Sequence, residues 1–432
     1  ESIASTSSTS TTASTTASTT SPTTTSTTAS TTASTTSTST TASTTSPTTT
    51  STTSTTASTT STTTTSTTAS TTTTPCINRF PTQVTYSTGV GSGPYPLTTA
   101  DVNGDGKPDI IVINYGTGGV SVLLNAGNGT FLAQVIYPTG TTHDTWGLAI
   151  ADVNGDSKLD IIVGNAASYN IGVLLNAGNG TFRTEVTYSI STGSQLHSLI
   201  AVDVNGDNKS DIIATYSALN EIAVFLNTGS GTFGAQVTYP VGTGPWPVKT
   251  GDLNGDGKLD IIVTNAGSNN VGVLFNKGNG TFGAQVTYST GNGSGPNAVV
   301  VVDANGDSKL DIIVGNYNTF NVGVLLNTGN GTFVAQVTYS TGPDSYPYYV
   351  TTGDINGDSY ADIVVANYWA NNFGVLLNMG NGTFAAQVTY STGAGSEPYS
   401  VSVADVNADG NLDIIAGNYN AGNIGVFLSN CG

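Results

Sequence analysis

The sequence predicts an all-β fold: a closed seven-bladed β-propeller of four-stranded antiparallel blades, preceded by an extended Thr/Ser-rich arm. Three observations predict it. The stretch "DVNGDGKPDIIV" at Asp101 returns in close copies at Asp152, Asp203, Asp252, Asp303, Asp354 and Asp405, spaced 51 residues apart except for one interval of 49. Such a period belongs to a solenoid, propeller or array. Each period also reads as short β-type runs between turn residues, with no helical periodicity. Finally, the last period stops at "NIGVFLSNCG" without its fourth run, and the missing piece lies at the other end as "RFPTQVTYS" from Arg79.

The runs follow in order. In the first period "PLTTA" enters the acidic loop, "DIIVINY" leaves it, "GTGG" turns into "VSVLLN", and "AGNG" leads into "TFLAQVIY". Asn-Gly is a strong hairpin signal because both residues tolerate positive φ. Four antiparallel strands repeated seven times suggest propeller blades. The permuted ends favour a ring over an open solenoid, because the N-terminal strand completes the last blade and removes a free sheet edge. The two cysteines, Cys76 and Cys431, flank that junction. A bond between them would close nearly the whole domain and contribute nominally ~5 kcal/mol by chain entropy. It would also imply an oxidising, extracellular compartment.

Composition divides the chain into an arm, residues 1–75, and the propeller, residues 76–432. The arm is built from "TTAS", "TTSP" and "TTTS". With no apolar face it cannot bury a core, and Ser/Thr tracts with Pro read as O-glycosylated, mucin-like stalks. Extended at ~3.1 Å per residue, the arm would reach roughly 230 Å. The chain starts at Glu1 rather than Met, as a trimmed protein would. No apolar run is long enough to suggest a membrane span. Nine Lys and Arg against 27 Asp and Glu argue against a nucleic-acid partner.

The net charge of −18 has an address: of the 27 acidic residues, 21 are Asp in the seven loops. The loop pattern is D-x-N-x-D-x-x-x-D. Its oxygen-bearing side chains are Asp101, Asn103, Asp105 and Asp109; Asp152, Asn154, Asp156 and Asp160; Asp203, Asn205, Asp207 and Asp211; Asp252, Asn254, Asp256 and Asp260. The series continues with Asp303, Asn305, Asp307 and Asp311; Asp354, Asn356, Asp358 and Asp362; Asp405, Asn407, Asp409 and Asp413. Three carboxylates on one short loop repel unless a cation or protons offset them. Hard oxygen donors in this number suit Ca²⁺, about one per blade, whereas Zn²⁺ would want Cys or His. The loops are not EF-hands: no Glu stands at position 12 and a strand follows at once.

"DVNGDGKPDIIV" and "LLNAGNGTF" resemble the FG-GAP/VCBS-type repeat propellers, similar in blade and calcium loop to the integrin α-subunit head; the resemblance covers about residues 77–430. It implies structural Ca²⁺ between strands 1 and 2 of each blade. It implies no single function, because such folds host adhesion, glycan binding and scaffolding alike.

In a propeller the acidic loops share a face with the N-G-T turns, which spell N-glycosylation sequons at Asn128, Asn179, Asn279, Asn330 and Asn381. Asn208 spells another, inside an acidic loop where access is expected to be poor. Six residues before each loop stand Tyr95, Trp146, His197, Trp246, Asn297, Tyr348 and Tyr399, ringing the opposite mouth of the channel. They read either as packing between blades or as a platform for stacking on sugars or a partner's side chains. With no catalytic constellation, the expected function is not enzymatic. The leading expectation is a secreted, calcium-stabilised structural or adhesive glycoprotein of a surface layer or fibre. The runner-up is a lectin-like module that binds carbohydrate or protein. An arm long enough to span a neighbour, beside a closed ring with no free edge, also suggests head-to-tail self-association into a filament.

Overall fold

The computed structural model describes residues 79–140 and 144–430. Seven four-stranded antiparallel sheets repeat around an axis. In the first blade the strands are Pro94–Ala100, Asp109–Asn114, Val120–Leu123 and Val135–Tyr137. First strands of neighbouring blades pack on one another at the centre. The "TF" element does not continue into the fourth strand as the run "TFLAQVIY" suggests. Thr130–Phe131 instead pairs with Asn125–Gly127 in a small separate hairpin, and the fourth strand begins only at Val135.

Alternation along the second strand explains why it is apolar throughout. Ile110 and Val112 pack toward the seventh blade, while Ile111 and Ile113 pack toward the second. Both faces of a blade are therefore covered, and all six residues of every second strand are buried. Burial of one such side chain contributes about 1.5–3 kcal/mol, so Ile213→Ala would cost about 2–5 kcal/mol with its cavity. Fourth strands at the rim are exposed instead, save for a half-buried Tyr.

The ring closes as the sequence predicts. Gln83–Ser87 pairs antiparallel with Asn423–Phe427 and completes the last blade. Phe80 takes the place of the phenylalanine that the last repeat lacks. Elsewhere the Tyr of each "VxY" run meets the Phe of the next blade edge-on, as in Tyr86–Phe131 at 5.4 Å and Tyr188–Phe233 at 5.3 Å; at the seam Phe80 meets Tyr390 at 5.2 Å. The backbone N–H of Asn430 donates to the carbonyl of Arg79. Cys76 and Cys431, and the whole arm, lie outside the described residues.

A second set of ties joins the blades. The Asn that ends each "LLN" run donates from its side-chain amide to a carbonyl of the preceding blade. Asn176 reaches Val102, Asn227 reaches Val153, and Asn276, Asn327 and Asn378 reach Val204, Leu253 and Ala304, all at 2.8–2.9 Å. Asn125 reaches Val406 of the seventh blade. In the last repeat this position is Ser429, too short to reach, and Arg79 supplies the seventh tie by donating from its guanidinium to the Ile355 carbonyl at 2.5 Å.

Candidate metal loops and the opposite face

Each acidic loop is shaped by its own carboxylates. In the first, Asp101 Oδ1 accepts from the amide of Gly104 at 2.7 Å and Oδ2 from Gly106 at 2.7 Å. Asn103 Oδ1 accepts from the Asp105 amide, and Asp105 Oδ1 from the Lys107 amide. Such turns need left-handed backbone: Gly104 has φ 76° and Gly106 φ 81°. At the sixth position Gly and Asn adopt that conformation most readily, and Ser157, Asn208, Ser308 and Ser359 all hold positive φ there.

The ninth-position Asp plays a different part. Asp109 is fully buried and accepts from the amides of Val102 at 3.0 Å and Asn125 at 2.7 Å. It pins the loop to the start of the small hairpin, and the same pair of bonds recurs down to Asp413, with Val406 and Ser429 as donors. Burial pushes its carboxyl above the usual range, the two amides pull it back, and repulsion from Asp105 and Asp101 adds to the rise. Asp362 and Asp413 are pushed up to about 6, with burial again the first cause. Those two loops carry Tyr360 and Asn411 where the other five carry a lysine. In those five the lysine ammonium touches the fifth-position Asp, as Lys107 does Asp105 at 2.9 Å, and holds Asp105 below its ordinary value. These pairs are exposed and add little.

The donor set fits a hard divalent cation. Every loop offers three carboxylates and an amide oxygen; Asp101 Oδ1 already accepts the amides of Gly104 and Asp105, whereas Oδ2 accepts only that of Gly106 and keeps a lone pair. Among the described residues no three acidic or histidine side chains already converge on one point. Asp101, Asn103 and Asp105, with Asp109 beneath, are the residues that would hold an ion in the first blade, and the equivalent four in the others.

The N-G-T turns lie on this face: a side chain at Gly180 would meet Asn103 of the neighbouring loop. Asn128, Asn179, Asn279, Asn330 and Asn381 are all exposed, and so is Asn208, contrary to the shielding expected for it.

On the opposite face six of the seven ring positions come together. Tyr95 lies 5.1–6.1 Å from Tyr399, Tyr348 and Trp146, and the contact with Tyr348 joins the first blade to the non-adjacent sixth. Tyr348 and Tyr399 are 4.0 Å apart, and His197 stacks on Trp246 at 4.6 Å. The rings thus pack across the mouth of the channel, over a cavity of about 90 Å³ lined in part by Asn297. Burial lowers His197 to about 4, with Asp144 opposing it. Outside this cluster Trp369 is 55% exposed beside Tyr368 and Tyr346, and Tyr346 also meets Phe320 at 4.7 Å. The interblade asparagines and the Phe–Tyr pairs were not singled out in the sequence, although their recurrence in each period was a visible signal.

Fold and loops together define a repeat β-propeller. The FG-GAP-like repeat model matches residues 101–163, 152–214, 203–263, 252–314, 304–365 and 354–416, so the chain belongs to that family. No curated protein matches it. Among solved structures it is similar to virginiamycin B lyase from Staphylococcus aureus (TM-score 0.58, 17% identity, 80% of this chain and 98% of that one). It is similar also to an Agrocybe aegerita lectin described for specific recognition of non-reducing terminal N-acetylglucosamine (TM-score 0.52, 23% identity, 69% and 80%). A third is BBS1N in complex with ARL6DN (TM-score 0.55, 12% identity, 82% and 98%). At these identities the likeness is one of fold. Among the described residues no helix is long and apolar enough to cross a membrane.

Proposed function

We propose that the protein is an extracellular, calcium-stabilised glycoprotein with a structural or adhesive role, its propeller carried on an O-glycosylated arm. The observation that supports this best is the loop face: seven loops of one design, each presenting three carboxylates and an Asn oriented by backbone amides. One site of special function would not need seven copies, whereas a stabiliser acting on every blade would. Exposure of the five sequon asparagines suits glycosylation there, and the Asn430–Arg79 bond suits a Cys76–Cys431 disulfide just beyond it. We further propose that the arm of one molecule engages the propeller of another. Calorimetry in 1 mM Ca²⁺ and in excess chelator tests the core of this reading, which an unchanged melting curve would refute. Light scattering with and without residues 1–74 tests self-association.

A second reading is a non-catalytic binding module of lectin type. It is favoured by the exposed indole of Trp369 among Tyr346, Tyr368 and Phe320, and by the fold shared with a lectin. The lyase relatives do not move us to propose catalysis. The one histidine among the described residues, His197, is held neutral within the aromatic cluster and lies on no acidic loop.

A further inference from the structure

The ring positions are capped unevenly. Directly after the second strand, four blades carry Tyr115, Tyr317, Tyr368 and Tyr419, and three carry Ala166, Ser217 and Ala266. Tyr115, Tyr317 and Tyr368 each reach the ring residue of the following blade, at 4.9 Å from Trp146, 5.8 Å from Tyr348 and 4.6 Å from Tyr399. Ala166 puts no ring over His197. A cavity of about 300 Å³ opens there, bordered by Tyr115, Asp144, Trp146, Ala166, Gln195 and His197. That is the lower end of the roughly 300–1,000 Å³ typical of small-ligand sites.

Its polar groups depart from the repeat. Asp144 and Gln195 stand where three blades have Gly93, Gly244 and Gly295. Gln195 holds φ 47°, a conformation that costs a non-glycine residue energy. Asp144 accepts the indole N–H of Trp146 at 2.5 Å and also bonds Tyr115. His197 Nδ1 is buried without a hydrogen-bond partner, and a buried unpaired polar atom is costly unless something satisfies it.

We infer that this cleft binds an uncharged pyranose unit of a saccharide. The inference rests on the binding-module reading above. Asp144 accepts hydrogen bonds, and the Gln195 amide donates and accepts. Sugar hydroxyls do both and match such a mixed set, while Trp146 and Tyr115 offer apolar ring surface to the sugar's C–H groups. A carboxylate in the site and a net charge of −18 oppose anionic ligands. A bare cation would leave the donors of Gln195 unused.

The test uses the full chain in Ca²⁺ and saturation-transfer NMR with the methyl glycosides of glucose, galactose, mannose and N-acetylglucosamine, with choline as the cationic probe. Ala166→Tyr restores the ring that four blades already carry, so it fills the cleft with a side chain the repeat accommodates. Asp144→Ala removes the carboxylate and stands in if the first variant fails to fold. The expected result is binding of at least one glycoside, weakened at least tenfold by either variant at an unchanged melting temperature. Binding that survives both variants overturns the cleft and leaves a lectin site elsewhere on the propeller. Binding of choline alone overturns the saccharide assignment. If no glycoside binds the wild-type chain, the cleft and the binding-module reading fall together, and the calcium-stabilised structural role is judged separately by the chelator experiment.

Discussion

The two faces of the propeller obey different rules. On the loop face a residue at one position has almost the same partners in all seven blades: Asp109, Asp160 and Asp211 each accept from the amides at loop position 2 and at the "LLN" asparagine. On the opposite face equivalent positions hold Tyr, Trp, His or Asn, and the flanking positions range from glycine to Asp, Gln, Tyr and Glu. Each loop sits where three strands and the next blade meet, so a change there disturbs two blades at once. On the aromatic face the ring residues and the connections beside them differ from blade to blade while the four-stranded pairing of each blade is kept. Uniformity marks the scaffold, and irregularity marks where individual chemistry has room.

The largest expected effect breaks the uniform face as a whole. If each loop holds a Ca²⁺ as proposed, ~1 mM free Ca²⁺ and ~0.1 mM affinity would give roughly 1.4 kcal/mol per ion, or about 10 kcal/mol over seven. Chelation is expected to lower the melting temperature sharply, and added Ca²⁺ to restore it. Next, Asp260→Ala leaves the amides of Leu253 and Asn276 unpaired in the interior. A loss of about 2–4 kcal/mol is expected by urea denaturation, and a similar loss for Asp211→Ala would sharpen the claim that blades are equivalent.

On the other face the expected effect is local and pH-dependent. His197 is lowered to about 4 by burial, against about 6.5 in an unfolded chain. The unfolded state therefore binds the extra proton first, and stability is lost as pH falls from about 6.5 toward about 4, by at most about 3 kcal/mol. His197→Phe should flatten that part of the difference between denaturation curves at pH 7 and pH 5; an identical slope in both proteins would show that the imidazole is not shielded. The smallest effect is expected for Trp369→Ala, under about 1 kcal/mol for a half-exposed side chain, with any loss of glycan binding read separately.

Much of the fold was legible because it is periodic. The 51-residue spacing, the Asn-Gly turns and the displaced "RFPTQVTYS" were enough to specify seven blades and the seam, and the pairing of Gln83 with Phe427 follows from them. The loops were legible for the same reason. The role of Asn176 was not, because its partner Val102 lies in another period and only the stacking of blades brings them together. The ring positions were located but not their mutual packing, since Tyr95 meeting Tyr348 depends on the width of the channel. The cleft at Ala166 was invisible because its signal is a missing side chain, and an alanine in a list of repeats says nothing until its neighbours are in place.

The seam has a consequence in time. Arg79, Phe80 and Gln83–Ser87 leave the ribosome before any blade, yet their partners Tyr390, Ile355 and Asn423–Phe427 come near the end of synthesis. Until then the N-terminal strand has nowhere to dock, and the first six blades form an incomplete arc with open edges. Pairings between distant parts of a chain form late and leave such edges prone to misassembly. The molecule's most vulnerable moment is therefore the one just before its last strand arrives.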